Sequence, residues 1–303
     1  MFDFISDLKN QITEFCKNKL GFELTGFTNA IIDQSAKESY LNWINKGYSA
    51  NMTYMSNNID IRFNPELLLE NYKSMIVVGL NYYQNTEADF GENISIYSYG
   101  KDYHKVIKKK LKKLQEFLKN NNINSRCFVD SAPVWEKYFA VKAGLGWIGK
   151  NSLLINREIG SFFFIGVVLT DFDFGETEPI NHSCKKCRKC IENCPTNAIT
   201  EEKTIDCTKC ISYLTIENNE IISDELKQKF GKYVFGCDIC QKVCPFNKEA
   251  KLTNVDEFKF KYKTLNISNL INFTEEEFKS FFEGTPIRRA TFNVFIDLLK
   301  KNS

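Results

Sequence analysis

Apolar and polar positions along the first 170 residues alternate between helical and strand periods, and a cysteine-rich pattern follows. Residues 3–18 carry apolar side chains at helical spacing, which predicts a helix; Cys16, beside Phe15 and Leu20, reads as a buried thiol. "ELTGFTNA" (Glu23–Ala30) predicts a short strand leading into a turn. "KSMIVVGLNYY" (Lys73–Tyr83) is β-branched and aromatic, the mark of a buried strand. In "DYHKVIKKKLKKLQEFLKN" (Asp102–Asn120), Val106, Ile107, Leu111, Leu114 and Phe117 share one stripe, lysines occupy the other faces and Asp102 suits an N-cap. "RCFVD" then predicts a strand ending at Asp130, a helix follows Pro133, and "FFFIGVVLT" supplies a further buried strand.

This alternation indicates an α/β core running to about Thr170. The segment "DFDFGETEPINHS" is polar and turn-rich. The tail from 251 spaces Phe and Leu irregularly and closes on an amphipathic helix, "RRATFNVFIDLLKK". Three segments result: 1–175, 176–250 and 251–303.

Composition adds two constraints. Net charge is only +2, so any contact with nucleic acid must come from a local patch. The N-terminus carries acids early and lacks a signal-type apolar core, and "SFFFIGVVLT" is far too short to span a bilayer. A cytoplasmic protein with no membrane partner is the expectation. Disulfides are disfavoured there, so the eleven cysteines need another explanation. Only Cys16 and Cys127 lie outside the stretch from Cys184 to Cys244.

Within that stretch Cys184, Cys187, Cys190 and Cys194-Pro195 form a C-x2-C-x2-C-x3-C-P run, and Cys207, Cys210, Cys237, Cys240 and Cys244-Pro245 form a looser second group. In two-cluster ferredoxins the fourth cysteine of such a run ligates the other cluster. Applied here, Cys184, Cys187, Cys190 and Cys244 hold one [4Fe-4S] cluster. Cys194, Cys237 and Cys240 hold the other, with Cys207 or Cys210 as fourth ligand. A pair of structural zinc sites is the competing reading, since Cys-x2-Cys pairs also serve zinc.

The densest functional stretch is "VDSAPVWEKYFAVKAGLGWIGKNSLLI" (Val129–Ile155). Gly144, Gly146 and Gly149 match G-x-G-x-x-G nominally, but not directly after a strand as a dinucleotide site requires. Close backbone approach to a large cofactor and ordinary loop glycines are the two readings of this pattern.

"YGKDYH" (Tyr99–His104), "VDSAPVWEK" (Val129–Lys137), "AGLGWIGKN" (Ala143–Asn151), "CISYLTIE" (Cys210–Glu217) and "GCDICQKVCPFN" (Gly236–Asn247) together resemble the epoxyqueuosine reductase family, cobalamin-dependent iron–sulfur enzymes of tRNA modification. The resemblance covers roughly Lys73 to Asn247. It implies an α+β fold: an α/β cobalamin-binding core similar to that of reductive dehalogenases, a two-[4Fe-4S] ferredoxin-like module and a short helical tail. It makes Cys210 the fourth ligand and Cys207 a spectator. It also implies Asp130 as proton donor, with a pKa raised by burial beside the corrin. Tyr97, Ser98, Ser131, Lys150, Asn151, Ser212, Leu214 and Asp238 would surround that corrin.

The implied reaction reduces epoxyqueuosine to queuosine at the wobble position of tRNAs with GUN anticodons (Tyr, His, Asp and Asn), fed by an external donor such as ferredoxin or flavodoxin, in a monomer. Lys101, Lys105, Lys108, Lys109, Lys110, Lys112 and Lys113 form one basic run and Arg288, Arg289, Lys300 and Lys301 another, suited to phosphates. "GTPIRRA" (Gly284–Ala290) resembles the point where longer members begin a helical-repeat extension, so the chain reads as a short form. The alternatives are a dehalogenase-like reductase of a small molecule and a ferredoxin-like electron carrier.

Overall fold

A computed structural model describes residues 2–29, 31–85, 89–262, 265 and 267–302. Its centre is a four-stranded sheet in the order β1 (Leu24–Thr28), β2 (Ser74–Asn81), β4 (Phe163–Thr170), β3 (Ser125–Phe128). Every pairing is antiparallel. The registers run Leu24↔Gly79 to Thr28↔Met75, Ser74↔Thr170 to Asn81↔Phe163, and Ser125↔Thr170 to Phe128↔Val167.

The unbroken apolar run of β2 follows from its position, because both faces of the sheet are covered. Ile76, Val78 and Leu80 enter the core built by α1 (Phe2–Glu14) and α2 (Tyr103–Asn120), while Met75 and Val77 pack with Phe139 of α3 (Glu136–Lys142). Helix α1 continues through a π turn, Phe15–Lys19, whose Cys16 is wholly buried. Burial pushes that thiol up to about 12. In α2 the buried stripe is Val106, Ile107, Leu111, Leu114 and Leu118. Each such side chain contributes about 1.5–3 kcal/mol by leaving water. Asp102 caps the helix, accepting from the His104 N–H at 3.0 Å.

The expected strands at Glu23–Ala30, Lys73–Tyr83 and Arg126–Asp130 are present but shorter; Ala30 lies outside the described residues. A Cβ on Gly146 would meet the Ile155 carbonyl at 2.2 Å, and one on Gly149 would meet Ile155 Cδ1 at 2.5 Å. These glycines admit the chain's own hairpin, Trp147–Ile148 against Leu154–Ile155.

The cysteine segment is built twice over the same plan. A four-residue helix, Lys189–Glu192 or Ile239–Lys242, joins a C-x2-C pair to a Cys-Pro corner, and the two helices pack together. Asn247 locks this segment to the sheet: it accepts from the Ser161 N–H at 2.7 Å and donates to Ser161 Oγ at 2.9 Å and to the Gln241 carbonyl at 2.8 Å. Phe258, Phe260, Tyr262, Phe278, Phe282 and Phe295 of the tail join the same hydrophobic cluster as β2 and α2. No described helix is long and apolar enough to cross a membrane.

Candidate functional site

Asp130 sits two residues beyond β3 with φ +46°, a left-handed conformation that costs an aspartate little but still needs support. Support comes from Glu136 at the head of α3, whose Oε1 accepts the Asp130 N–H at 2.5 Å. The Asp130 carboxylate accepts from Tyr103 Oη at 2.6 Å and lies 3.7 Å from His104 Nε2. On its other side His104 Nδ1 stands 2.7 Å from Asp102 Oδ1. The start of α2 therefore presents Asp102, Tyr103 and His104 to Asp130 as one continuous chain of polar contacts.

Two carboxylates around one imidazole fix its charge. Desolvation pulls His104 down, but the bonds to Asp102 and Asp130 and their charges outweigh it and raise its pKa to about 9. Burial pushes Asp130 up, yet the bonds from His104 and Tyr103, with the charges of His104 and Arg289, hold it below its ordinary value. The protein's own groups thus hold this carboxyl low, whereas the expected rise belongs to the corrin-bound state. The Asp130 side chain is 61 % exposed, so polar partners dominate over desolvation. Glu136 moves the other way, raised by its desolvation and by the charge of Asp130. Of the two neighbouring carboxyls, Glu136 thus holds a proton more readily.

Tyr103 also lines an open cleft with Tyr82, Tyr97, Phe164, Lys137 and Gln241. Aromatic rings line it: the Tyr103 and Phe164 rings stack at 4.2 Å and 6°, and Tyr82, 4.3 Å from Phe164, is tilted by 33°. An aromatic floor with a polar rim fits a large planar cofactor such as a corrin. Among the sequence-derived corrin residues, Tyr97 lines this cleft, Asp130 accepts from Tyr103, and Ser131, next along the chain, is exposed. Ser98 is buried, its hydroxyl donating to the Ser95 carbonyl at 2.7 Å. Leu214 belongs to the main core, and half-buried Ser212 follows Cys210.

Asp238 is wholly buried, and desolvation raises its pKa. It accepts from Ser95 Oγ and, at 2.8 Å, from the Ile96 N–H, tying the Tyr97 segment to the cysteine module. Lys150 and Asn151 lie elsewhere, in a second cleft with Cys184, Cys187, Cys190 and Cys244. Lys150 is also ion-paired to Glu202 at 2.7 Å.

The thiols fall into two groups. Cys190 is raised by desolvation and then by the charges of Cys184, Cys244 and Cys187. Cys237 is pushed up to about 12 by burial, with Cys210 and Cys194 adding to it, and Cys240 stands well above its ordinary value, with Cys237 and Cys210 beside it. Cys207 is set by burial, Cys210, Asp206 and Lys137. Thiols crowded this way ionise together only around strong positive charge, which bound iron provides. The donor set suits two iron–sulfur clusters.

The groups differ in setting. Cys210 and Cys237 pack against the main core, and Cys240 adjoins Gln241 of the planar cleft. Cys184 and Cys244 belong to a satellite cluster with Trp147, Ile155 and Phe246. The buried Trp147 indole N–H has no partner among the described residues. Sequence reasoning quoted Tyr103, His104 and Glu136 within motifs but gave them no role. Arg289 was read only as phosphate-facing; it pairs with Glu217, and its charge acts on Asp130.

Comparison with known proteins agrees with this arrangement. Residues 62–131 match the family described as "Epoxyqueuosine reductase QueG, DUF1730", and residues 183–247 match "4Fe-4S double cluster binding domain". The epoxyqueuosine reductase of Cyclobacterium marinum is 42% identical over 291 residues, covering 94% of this chain and 94% of that one. The Escherichia coli enzyme of the same name is 39% identical over 296 residues, covering 92% of this chain and 77% of its own. A crystal structure of an epoxyqueuosine reductase with an epoxyqueuosine-modified tRNA-Tyr stem loop superposes with a TM-score of 0.86 at 28% identity, over 98% of this chain and 82% of that one.

Proposed function

Because this chain belongs to the epoxyqueuosine reductase family, we propose that its Asp130 cluster and two cysteine groups carry out the reduction of epoxyqueuosine to queuosine at the wobble position of tRNA. The reaction takes two electrons and two protons, releases the epoxide oxygen as water and leaves a carbon–carbon double bond. The observation that carries this reading is convergence. The polar chain through Asp130 and the inner thiols both act on the cleft, Asp130 through its bond from Tyr103 and Cys240 through its charge on Tyr82 and Lys137.

Cys184, Cys187, Cys190 and Cys244 hold the outer cluster; Cys194, Cys210, Cys237 and Cys240 hold the inner one. Tyr97, with Asp130 and Ser131, borders the cobalamin site, and Asp238 and Ser98 brace the Tyr97 segment from behind. Cobalamin, when bound, supplies a low-valent cobalt able to deliver electrons to the epoxide carbon. The protein supplies the protons. Opening the ring develops negative charge on oxygen, and Asp130 protonates it as a general acid. Cofactor and tRNA exclude water from the exposed Asp130 carboxyl and so raise its pKa toward that role. His104, an imidazolium below about pH 9, stands 3.7 Å away to resupply the proton.

The substrates are tRNAs with GUN anticodons, steered by the exposed lysines of α2: Lys105, Lys108, Lys109, Lys112 and Lys113. Lys110 is excluded from that face because its Nζ donates to the Leu20 carbonyl at 2.6 Å. A reduced carrier such as ferredoxin or flavodoxin delivers the electrons singly. The test is anaerobic turnover of epoxyqueuosine-containing tRNA by the cluster- and cobalamin-loaded enzyme, followed by nucleoside mass spectrometry. Loss of one oxygen mass, abolished in Asp130→Ala, is the expected result. No conversion at full cofactor occupancy refutes the substrate, and undiminished conversion by the variant refutes the acid.

A further inference from the structure

Electrons must reach the outer cysteine group from outside the protein, and the loop that carries its first three thiols is unusual in charge. Between Cys184 and Cys190 every residue that is not a cysteine is a cation: Lys185, Lys186, Arg188 and Lys189. All four are exposed. Arg188 lies 3.6 Å from Glu202, which is already paired to Lys150 at 2.7 Å. Lys185, Lys186 and Lys189 form no ion pair with a described residue. Lys185 holds φ +46°, in the turn between the first two cysteines.

Leaving four like charges on seven residues is electrostatically unfavourable within the chain, and it is the pattern that steers a partner of opposite sign. We propose that this collar is the docking surface for a small acidic electron-carrier protein, which delivers its electrons to the outer cysteine group. The inference rests on the cluster reading of the preceding subsection and extends it to the partner and its site.

The placement favours a protein over an RNA. The four cations alternate with the thiols themselves, so whatever binds them lies directly over the outer cleft, which Lys189 also lines. A redox partner gains from that proximity. A tRNA must instead place its base in the planar cleft beside Tyr97 and Tyr103, which adjoins the inner group through Gln241. Electron-transfer encounters are small and transient, so a few cations around the point of transfer suffice.

The experiment mixes oxidised holoenzyme anaerobically with fully reduced flavodoxin, an acidic carrier, and follows bleaching of the iron–sulfur absorbance by stopped flow. The variant is Lys185→Glu/Lys186→Glu; glutamate at position 185 is no more strained than lysine. Lys185→Gln/Lys186→Gln serves if charge reversal disturbs cluster assembly. The expected result is a second-order rate lowered about ten-fold or more at low ionic strength, with the wild-type decline on adding salt lost or reversed. Reduction by photoreduced deazaflavin, a neutral small molecule, stays unchanged. An unchanged rate with flavodoxin overturns the proposal. So does weakened tRNA binding with normal flavodoxin kinetics, which makes the collar an RNA surface. Wild-type protein that takes up no iron–sulfur absorbance fails before any carrier is added and refutes the cluster reading itself, taking the proposal with it.

Discussion

Replacing Asp102 with Asn tests the electrostatics of the site at one atom. His104 is raised from 6.5 to about 9, a shift worth about 3 kcal/mol in favour of the imidazolium. Two carboxylates share that effect against desolvation. Asp102 is the nearer, at 2.7 Å against 3.7 Å, and its side chain is 26% exposed against 61% for Asp130. The larger part therefore belongs to Asp102, and Asp102→Asn lowers the His104 pKa by at least about one unit. The Asn side chain keeps an oxygen for the His104 N–H, so the cap of α2 survives.

The chain has only two histidines, and His182 lies apart, its ring 4.3 Å from that of Trp147 and tilted by 32°. An imidazole NMR titration of wild type and Asp102→Asn, assigned with His182→Gln, therefore reads the quantity directly. The linkage has a definite sign. With the folded pKa above the unfolded one, this group's stabilisation is complete below about pH 6.5 and disappears as pH rises through about 9. A wild-type His104 titrating below 7, or one unmoved by Asp102→Asn, would refute the reasoning.

The other expectations concern support and ligation. Glu136→Ala removes the acceptor of the Asp130 N–H and lowers kcat about ten-fold with little change in KM for tRNA, while Glu136→Gln, which keeps an acceptor oxygen, recovers most of it; steady-state kinetics decide. Cys244→Ser takes a thiolate from the outer group, and iron analysis of the purified protein should show up to half the iron lost. Asn247→Ala strips three buried hydrogen bonds and costs about 2–4 kcal/mol, read from the denaturant midpoint of holoprotein. Gly26→Ala drives a Cβ to 1.9 Å from the Ala143 carbonyl, so β1 and the end of α3 must separate; a melting temperature within a degree or so of wild type would contradict that contact.

Much of this was legible in the chain because its signals are local. The β-branched run at Ser74–Asn81 and the stripe of α2 announce themselves by period, and the cysteine spacing sorts seven thiols into two groups, with the family resemblance adding Cys210 as the eighth. Sheet order was not legible. β2 pairs with β4 across some ninety residues of sequence, and nothing in either run names its partner. The Asp130 chain was half visible. Asp102 and Asp130 stood out singly, but the Tyr103–Asp130 bond joins positions 27 apart, and His104 gains its charge only once both carboxylates surround it. The glycines named no neighbour in advance, because small residues admit any close approach; within the chain that neighbour is Ile155.

The start of α2 has anchors at the far end of the chain. The Lys101 N–H donates to the Glu257 carbonyl at 2.7 Å and the Asp102 N–H to the Gly284 carbonyl at 2.8 Å, while a Cβ on Gly100 would strike Glu257 O. On the ribosome, residues 101–104 emerge long before either acceptor has been translated. The Asp102–His104 end of the Asp130 cluster is therefore finished last, and a nascent or prematurely terminated chain ending before Gly284 lacks the fastening that aims His104.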